Sequence, residues 1–194
     1  MDKYKKIFTY LNILITIGSI IFIIEGFRRG LFTSEEKLTI FLEKQGGFAP
    51  IIFLLFQIIQ VVIPVVPFSI TLVVGILVFG VFKGFIYNYL GICIGSLIAF
   101  LLAKKYGDPI LNLIFPEKIV NKYKHYTNHK NFVKYFAAAI FFPLAPDDFL
   151  CYLAGTTQMK LRTFIAIILL GKPLSVFIYS FGLDYIIRFI ASRF

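Results

Sequence analysis

Asp147 and Asp148 stand side by side in the apolar stretch YFAAAIFFPLAPDDFLCYLAG, residues 135–155. The chain has ten acidic residues, and the other eight lie in segments that already look polar. An ionised carboxylate at membrane depth is costly, so such residues face a water-filled cavity or a partner. Two adjacent carboxylates in a low dielectric do not both ionise easily, which suits a proton-coupled or a cation site. Pro143 and Pro146 precede the pair, so the backbone here cannot be one continuous helix. Broken backbone beside a buried acid is the way transporter binding sites are built. Lys172, next to Pro173 in the last apolar run, is the natural partner of the acids, because a buried lysine is hard to keep charged alone. Gln57 and Gln60, three apart in an earlier apolar run, are placed to hydrogen-bond into the same cavity. Two blander roles stay open: Asp147 as cap of a helix beginning at Phe149, and Lys172 snorkelling to an interface.

The elements that must position these residues are membrane helices. Hydrophobic residues make up 59% of the 194 and charged residues 15%, against roughly 25% charged in a soluble domain. Mean hydropathy is +0.85. The net charge of +10 does not point to nucleic acid, because the basic residues cluster between apolar runs as in cytoplasmic loops. Cys93 and Cys151 both lie in apolar segments and read as buried free thiols. His125 and His129 share a polar loop with no nearby acid or thiol, and no metal site is expected.

The run from Ile7 to Ile24 reads as an uncleaved transmembrane helix, being longer than a signal core of roughly 7–15 residues. Residues 34–44 read as an interfacial helix capped by Ser34. Residues 48–82 are almost wholly apolar and are cut at Pro64 and Pro67. Each limb would be about 22 Å, short of a hydrocarbon core of about 30 Å. A re-entrant hairpin therefore fits better than two thin spans. A full span is expected near 84–103, with Gly91 and Gly95 on one face for close helix packing. Residues 104–134 read as a basic loop. A second hairpin is expected near 135–158, a last span near 163–181, and an amphipathic tail over 183–194.

The two proline blocks match at an offset of 79 residues: Pro64 with Pro143, Pro67 with Pro146, Ser69 with Asp148, Lys83 with Arg162. With both blocks as hairpins, twelve Lys and Arg residues fall on one side and seven on the other, which puts the N-terminus in the cytoplasm. One hairpin then enters from outside and the other from inside, the inverted-repeat plan of many transporters. The hairpin tips would gather Ser69, Asp147, Asp148 and the carbonyls freed by the prolines.

The strings FFPLAPDDFLCYLAG, IPVVPFSITLVVGILVFGVFKG and GICIGSLIAFLLAKKYG resemble the DedA superfamily, also called the VTT-domain or SNARE-associated Golgi protein family. The resemblance covers roughly 45–182, with Gly91, Gly95, Lys105 and Gly107 matching its glycine-rich span and the basic residue that closes it. It implies two opposed re-entrant hairpins. It also implies a link to recycling of undecaprenyl phosphate, to proton-dependent envelope homeostasis or, in eukaryotic relatives, to phospholipid scrambling. Two features depart from the usual pattern. Ile140 stands where many members carry Arg, and Gln57 and Ser69 stand nearest to acidic residues of the first hairpin. The Pro-Asp-Asp form is similar to the branch typified by a yeast Golgi protein.

The expectation is thus an all-α polytopic membrane protein: residues 1–44 as helix and interfacial helix, 45–182 as the VTT-type domain, 183–194 as tail. It is expected to be no enzyme and to need no cofactor. Its partners are membrane lipids, such as a polyprenyl phosphate or a phospholipid, and protons; a homo-oligomer is compatible with the sequence. The favoured activity is transport or scrambling of a phosphate-bearing lipid in the plasma membrane, with Arg162, Lys83 and Lys105 meeting the phosphate. The alternatives are a proton- or cation-coupled solute transporter and a non-transporting scaffold.

Overall fold

The computed structural model describes residues 46–64, 68–142 and 145–191, together with Tyr10, Ile13, Leu14, Ile17, Gly18, Ile21, Ile24, Glu25 and Arg28. The described residues of the first apolar run are helical, but the run as a span cannot be traced from them, and the interfacial helix expected at 34–44 lies outside the described residues, as do Pro67 and Pro143.

In apolar surroundings the backbone must satisfy its own polar groups, and every regular element among the described residues is helical. Helix α1, Ala49–Val62, has Pro50 in its first turn and stops before Pro64. A residue before proline is pushed out of the helical region, and Ile63 is at φ −119°, ψ 86°. Helix α2, Phe68–Tyr106, is helical on both sides of Gly80, where φ is 77° and ψ 168°. Glycine alone takes that backbone readily, so α2 is two helices, 68–79 and 81–106. They are about 18 Å and about 39 Å long. Only the second half is matched to a bilayer of about 30 Å; read without the break, Thr71–Tyr106 would count as one span of 36 residues.

The contacts fix the path of the chain. Gln60 and Thr71 are hydrogen-bonded at 2.8 Å, and the Phe53 ring meets Phe79 at 5.3 Å in a tilted contact, so α1 and 68–79 run antiparallel. Gly75 packs against Gly84, and Asn88 donates to the Leu72 carbonyl at 3.2 Å, so the chain reverses again at Gly80. The long half of α2 then runs alongside α1. A Cβ at Gly91 would sit 2.7 Å from Gln57 Cβ, and one at Gly95 2.7 Å from Val61 Cβ.

Residues 104–134 are not a loop. After Gly107 they fold into α3, Asp108–Ile114, and α4, Glu117–Lys124, followed by a 3-10 turn, His125–Asn128. Leu111 and Val120 are buried against the second hairpin, which is what holds these short helices in place. Pro116 ends α3 as Pro64 ends α1, with Phe115 extended at φ −111°, ψ 150°.

The second proline block repeats the first. Helix α5, Phe132–Phe141, ends at Phe142, whose φ of −87° and ψ of 117° are again those of a pre-proline residue. Helix α6, Asp147–Gly155, returns from Pro146. Helix α7, Leu161–Ala191, then runs parallel to α5, with Phe136 stacked on Phe164 at 5.7 Å and Gly171 against Ile140. It continues as one helix through Gly182 rather than stopping at a separate tail, because a glycine inside a helix costs only about 1 kcal/mol. Among the described residues, the 81–106 half of α2, within the apolar stretch Thr71–Tyr106, and Leu161–Tyr179 of α7 are long and apolar enough to cross a membrane, the two stretches having mean hydropathy 2.0 and 1.8. The second half of α2 and α7 lie antiparallel: Phe85 meets Phe177 at 6.2 Å, Tyr89 meets Leu169, and Phe100 stacks on Phe164 at 4.2 Å.

Candidate functional site

Pro173 lacks an N–H, so within α7 it leaves the carbonyl of Leu169 without its helical donor. The hydroxyl of Tyr89, on α2, donates to that carbonyl at 3.0 Å. The Val62 carbonyl, orphaned at the end of α1, accepts from the Tyr152 hydroxyl of α6 at 2.5 Å. Tyr152 therefore ties the second hairpin to the tip of the first. Both interruptions of the helical ladder are closed by a tyrosine from another element.

Lys172 precedes that proline and is fully buried, at 0% exposure. Its ammonium forms an ion pair with a carboxylate oxygen of Asp147, whose side chain is 15% exposed. Asp147 is the first residue of α6, and its carboxylate makes no capping bond to that helix. The capping role and the snorkelling lysine are both replaced by this ion pair. Asp148 points elsewhere: its Oδ1 is buried and has no hydrogen-bond partner. Ser175, one turn along, donates its hydroxyl to the Lys172 carbonyl at 3.1 Å.

A second buried polar group lies between the first hairpin and α2. Gln57 is 0% exposed, and neither its amide nitrogen nor its amide oxygen has a hydrogen-bond partner. Gln60 accepts from Thr71. Asn88 Oδ1 and Ser96 Oγ are likewise buried without partners. Ser96 lies beside Cys151 of α6, one turn from Asp148, which carries the polar layer from α2 toward the ion pair. A buried polar atom left unsatisfied costs about 1–3 kcal/mol, and a native structure keeps few of them.

The structure thus brings Asp147 and Lys172 into contact with Asp148 alongside, and buries Gln57 and Gln60 on α1. Ser69 is helical within α2, and its side chain is outside the described residues. Lys83, Lys105 and Arg162 are exposed. Lys83 sits at the start of the long half of α2, while Lys105 is at its end, near where Arg162 begins α7. The three do not form one cluster. Pro64 and Pro146 stand at the two reversals, and Gly91 and Gly95 face α1. Thr71, Asn88, Ser175, Tyr89 and Tyr152 carry polar contacts that the sequence did not advertise. A lone hydroxyl or amide in an apolar run shows no spacing signal; only the proline at position 173 pointed to a carbonyl in need of a donor. Among the described residues there is no group of three His, Cys, Asp or Glu side chains that could hold a metal ion.

Two apolar helices long enough to cross a membrane, two proline-broken helix pairs and a buried ion pair give the described residues an all-helical architecture with a polar interior. A model of the VTT domain matches residues 63–185, and the chain belongs to that family. It is 28% identical over 151 residues to the uncharacterized membrane protein YhjE of Bacillus subtilis, an alignment covering 77% of this chain and 72% of that one. No solved structure matches the chain significantly.

Proposed function

We propose that the chain is a lipid transporter or scramblase that passes the headgroup of a phosphate-bearing lipid between leaflets while its acyl chains stay in the bilayer. In this reading α1 with 68–79, and α5 with α6, are re-entrant hairpins entering from opposite faces as an inverted repeat. The observation that carries the reading is the Asp147–Lys172 ion pair, sealed from solvent on the lysine side where the second hairpin meets α7. A buried ion pair is weak support for stability, since apolar replacements are often as good; its retention in so apolar a chain points to use. Transfer of a proton to Asp147 releases the Lys172 ammonium, the one cation buried at this depth among the described residues, to meet a phosphate. Exposed Lys83 at one end of α2 and exposed Lys105 and Arg162 at the other are placed to receive the headgroup at either surface. The N-terminus is taken as cytoplasmic and the protein as multi-pass in the plasma membrane.

A second reading is supported by the unpartnered polar atoms of Gln57, Asn88, Ser96 and Asp148. They suit a proton- or cation-coupled solute transporter, in which water or a cation fills that layer. Liposomes reconstituted with the protein and a fluorescent phospholipid separate the two. Lipid movement that falls to the protein-free rate in Asp147→Asn and Lys172→Met supports the first reading. Proton flux with no lipid movement supports the second. Wild-type lipid movement in both variants removes the ion pair from the mechanism.

A further inference from the structure

Between α5, α6 and the segment that precedes α5 is a cavity of about 340 Å³. Its inner wall is apolar: Phe132, Phe136 and Ala139 of α5, and Leu150 and Leu153 of α6. Its outer wall is made by Tyr123, Tyr126, His129 and Tyr135. The volume falls within the usual range of about 300–1,000 Å³ for small-molecule sites. The wall changes from hydrocarbon to hydrogen-bonding groups along its length, which is the profile of an amphiphile.

The polar end favours an anion. His129 Nδ1 accepts from the Asn131 N–H at 3.2 Å, which leaves Nε2 to carry the proton and act as a donor. Tyr126 and Tyr135 are 46% and 54% exposed at the cavity wall. The Lys122 ammonium lies 5.2 Å above the Tyr123 ring. Over 117–134 there are five lysines, Lys118, Lys122, Lys124, Lys130 and Lys134, and one acid, Glu117. Lys124 is paired with Asp108 at 2.5 Å. The surplus positive charge complements an anionic headgroup, and lysines at a membrane surface attract anionic lipid.

We infer that this cavity is a binding site for an anionic phospholipid of the adjoining leaflet, one acyl chain between α5 and α6 and the headgroup on His129, Tyr126 and the Lys122 side of the 3-10 turn. The site is separate from the ion pair and does not depend on the transport reading. Because Leu150 and Leu153 belong to the helix that begins with Asp147 and Asp148, an occupied cavity stiffens the element that holds the acids.

The sequence has no tryptophan, so Phe132→Trp, on the apolar wall of the cavity, makes a reporter with no background. In proteoliposomes, phosphatidylglycerol with brominated acyl chains should quench that reporter more strongly than brominated phosphatidylcholine at equal mole fraction. Lys122→Ala should weaken the preference by about fivefold, the effect of one ammonium near a membrane surface. Ala139→Phe, which fills the inner end of the cavity, should abolish the preference while the protein still elutes as the wild type does in detergent. Equal quenching by the two lipids overturns the proposal. So does a preference that survives Ala139→Phe, because the lipid would then be annular. Quenching by brominated fatty acid alone, with none from phosphatidylglycerol, also overturns it.

Discussion

Lys172 and Asp147 form a pair in which each is costly without the other. Removing one partner of a buried pair leaves an uncompensated charge and typically costs about 3–5 kcal/mol. Lys172→Met should therefore lower thermal stability in detergent, and Asp147→Asn added to it should restore much of the loss; a double variant as unstable as the sum of the singles would show that the two do not interact. The pair was legible in the sequence for a physical reason: an ammonium in the middle of an apolar run needs a carboxylate, and the chain offers only one pair at comparable depth. Which aspartate takes the lysine was not legible, since that depends on how α6 is rotated. Tyr89 is a sharper case. Its bond to the carbonyl freed by Pro173 makes a double-variant cycle. Tyr89→Phe should destabilise by about 1–3 kcal/mol, because the Leu169 carbonyl is then left without a donor in apolar surroundings. Pro173→Ala should remove most of that penalty, because alanine supplies the missing helical N–H. An equal Tyr89→Phe penalty in both backgrounds would break the assignment.

The short helices follow from two rules acting together. Proline stops a helix one residue early, and Ile63, Phe115 and Phe142 all show the extended backbone that results. The hairpin limbs could be read from the prolines for this reason. The reversal at Gly80 could not, because a glycine in an apolar run reads equally as helix packing until its φ is known. Residues 104–134 read as a loop because they are polar and basic, and the helices within them are only 7 and 8 residues long. Close packing of α1 on α2 depends on Gly91 and Gly95, where a Cβ would lie 2.7 Å from the side chains of Gln57 and Val61. Gly95→Leu should force the first hairpin away from α2 and cost at least about 1–3 kcal/mol, as overpacking does. A wild-type melting temperature in that variant would show that the two helices are not in contact in the folded protein.

Across the whole molecule, the two halves have the same plan. In each, a first limb runs parallel to the long helix that follows, a second limb runs antiparallel to it, and the two long helices oppose one another. The exposed apolar residues form the outer surface, among them Ile51, Ile52, Leu55 and Ile59 of α1 and Leu169, Leu170 and Leu174 of α7. Glutamines, asparagine and the ion pair are inside. This reverses the pattern of a soluble domain and suits a bilayer as solvent. The two proline breaks were visible in the sequence; the polar interior was visible only in part, because Thr71, Asn88 and Ser96 carry no signal until the helices are paired.

The proposed transport path requires both hairpins to return to the face from which they enter, and cysteine labelling tests this directly. In a background of Cys93→Ala and Cys151→Ala, single cysteines at Phe48 and Phe82, both exposed at the open end of the first hairpin, would be treated with a membrane-impermeant maleimide on intact cells. Both should react from the same side, and cysteines at Lys134 and Lys160 should react only from the other. Labelling of Phe48→Cys and Phe82→Cys from opposite sides would mean that the first proline block crosses the bilayer, and the opposed-hairpin architecture would fall.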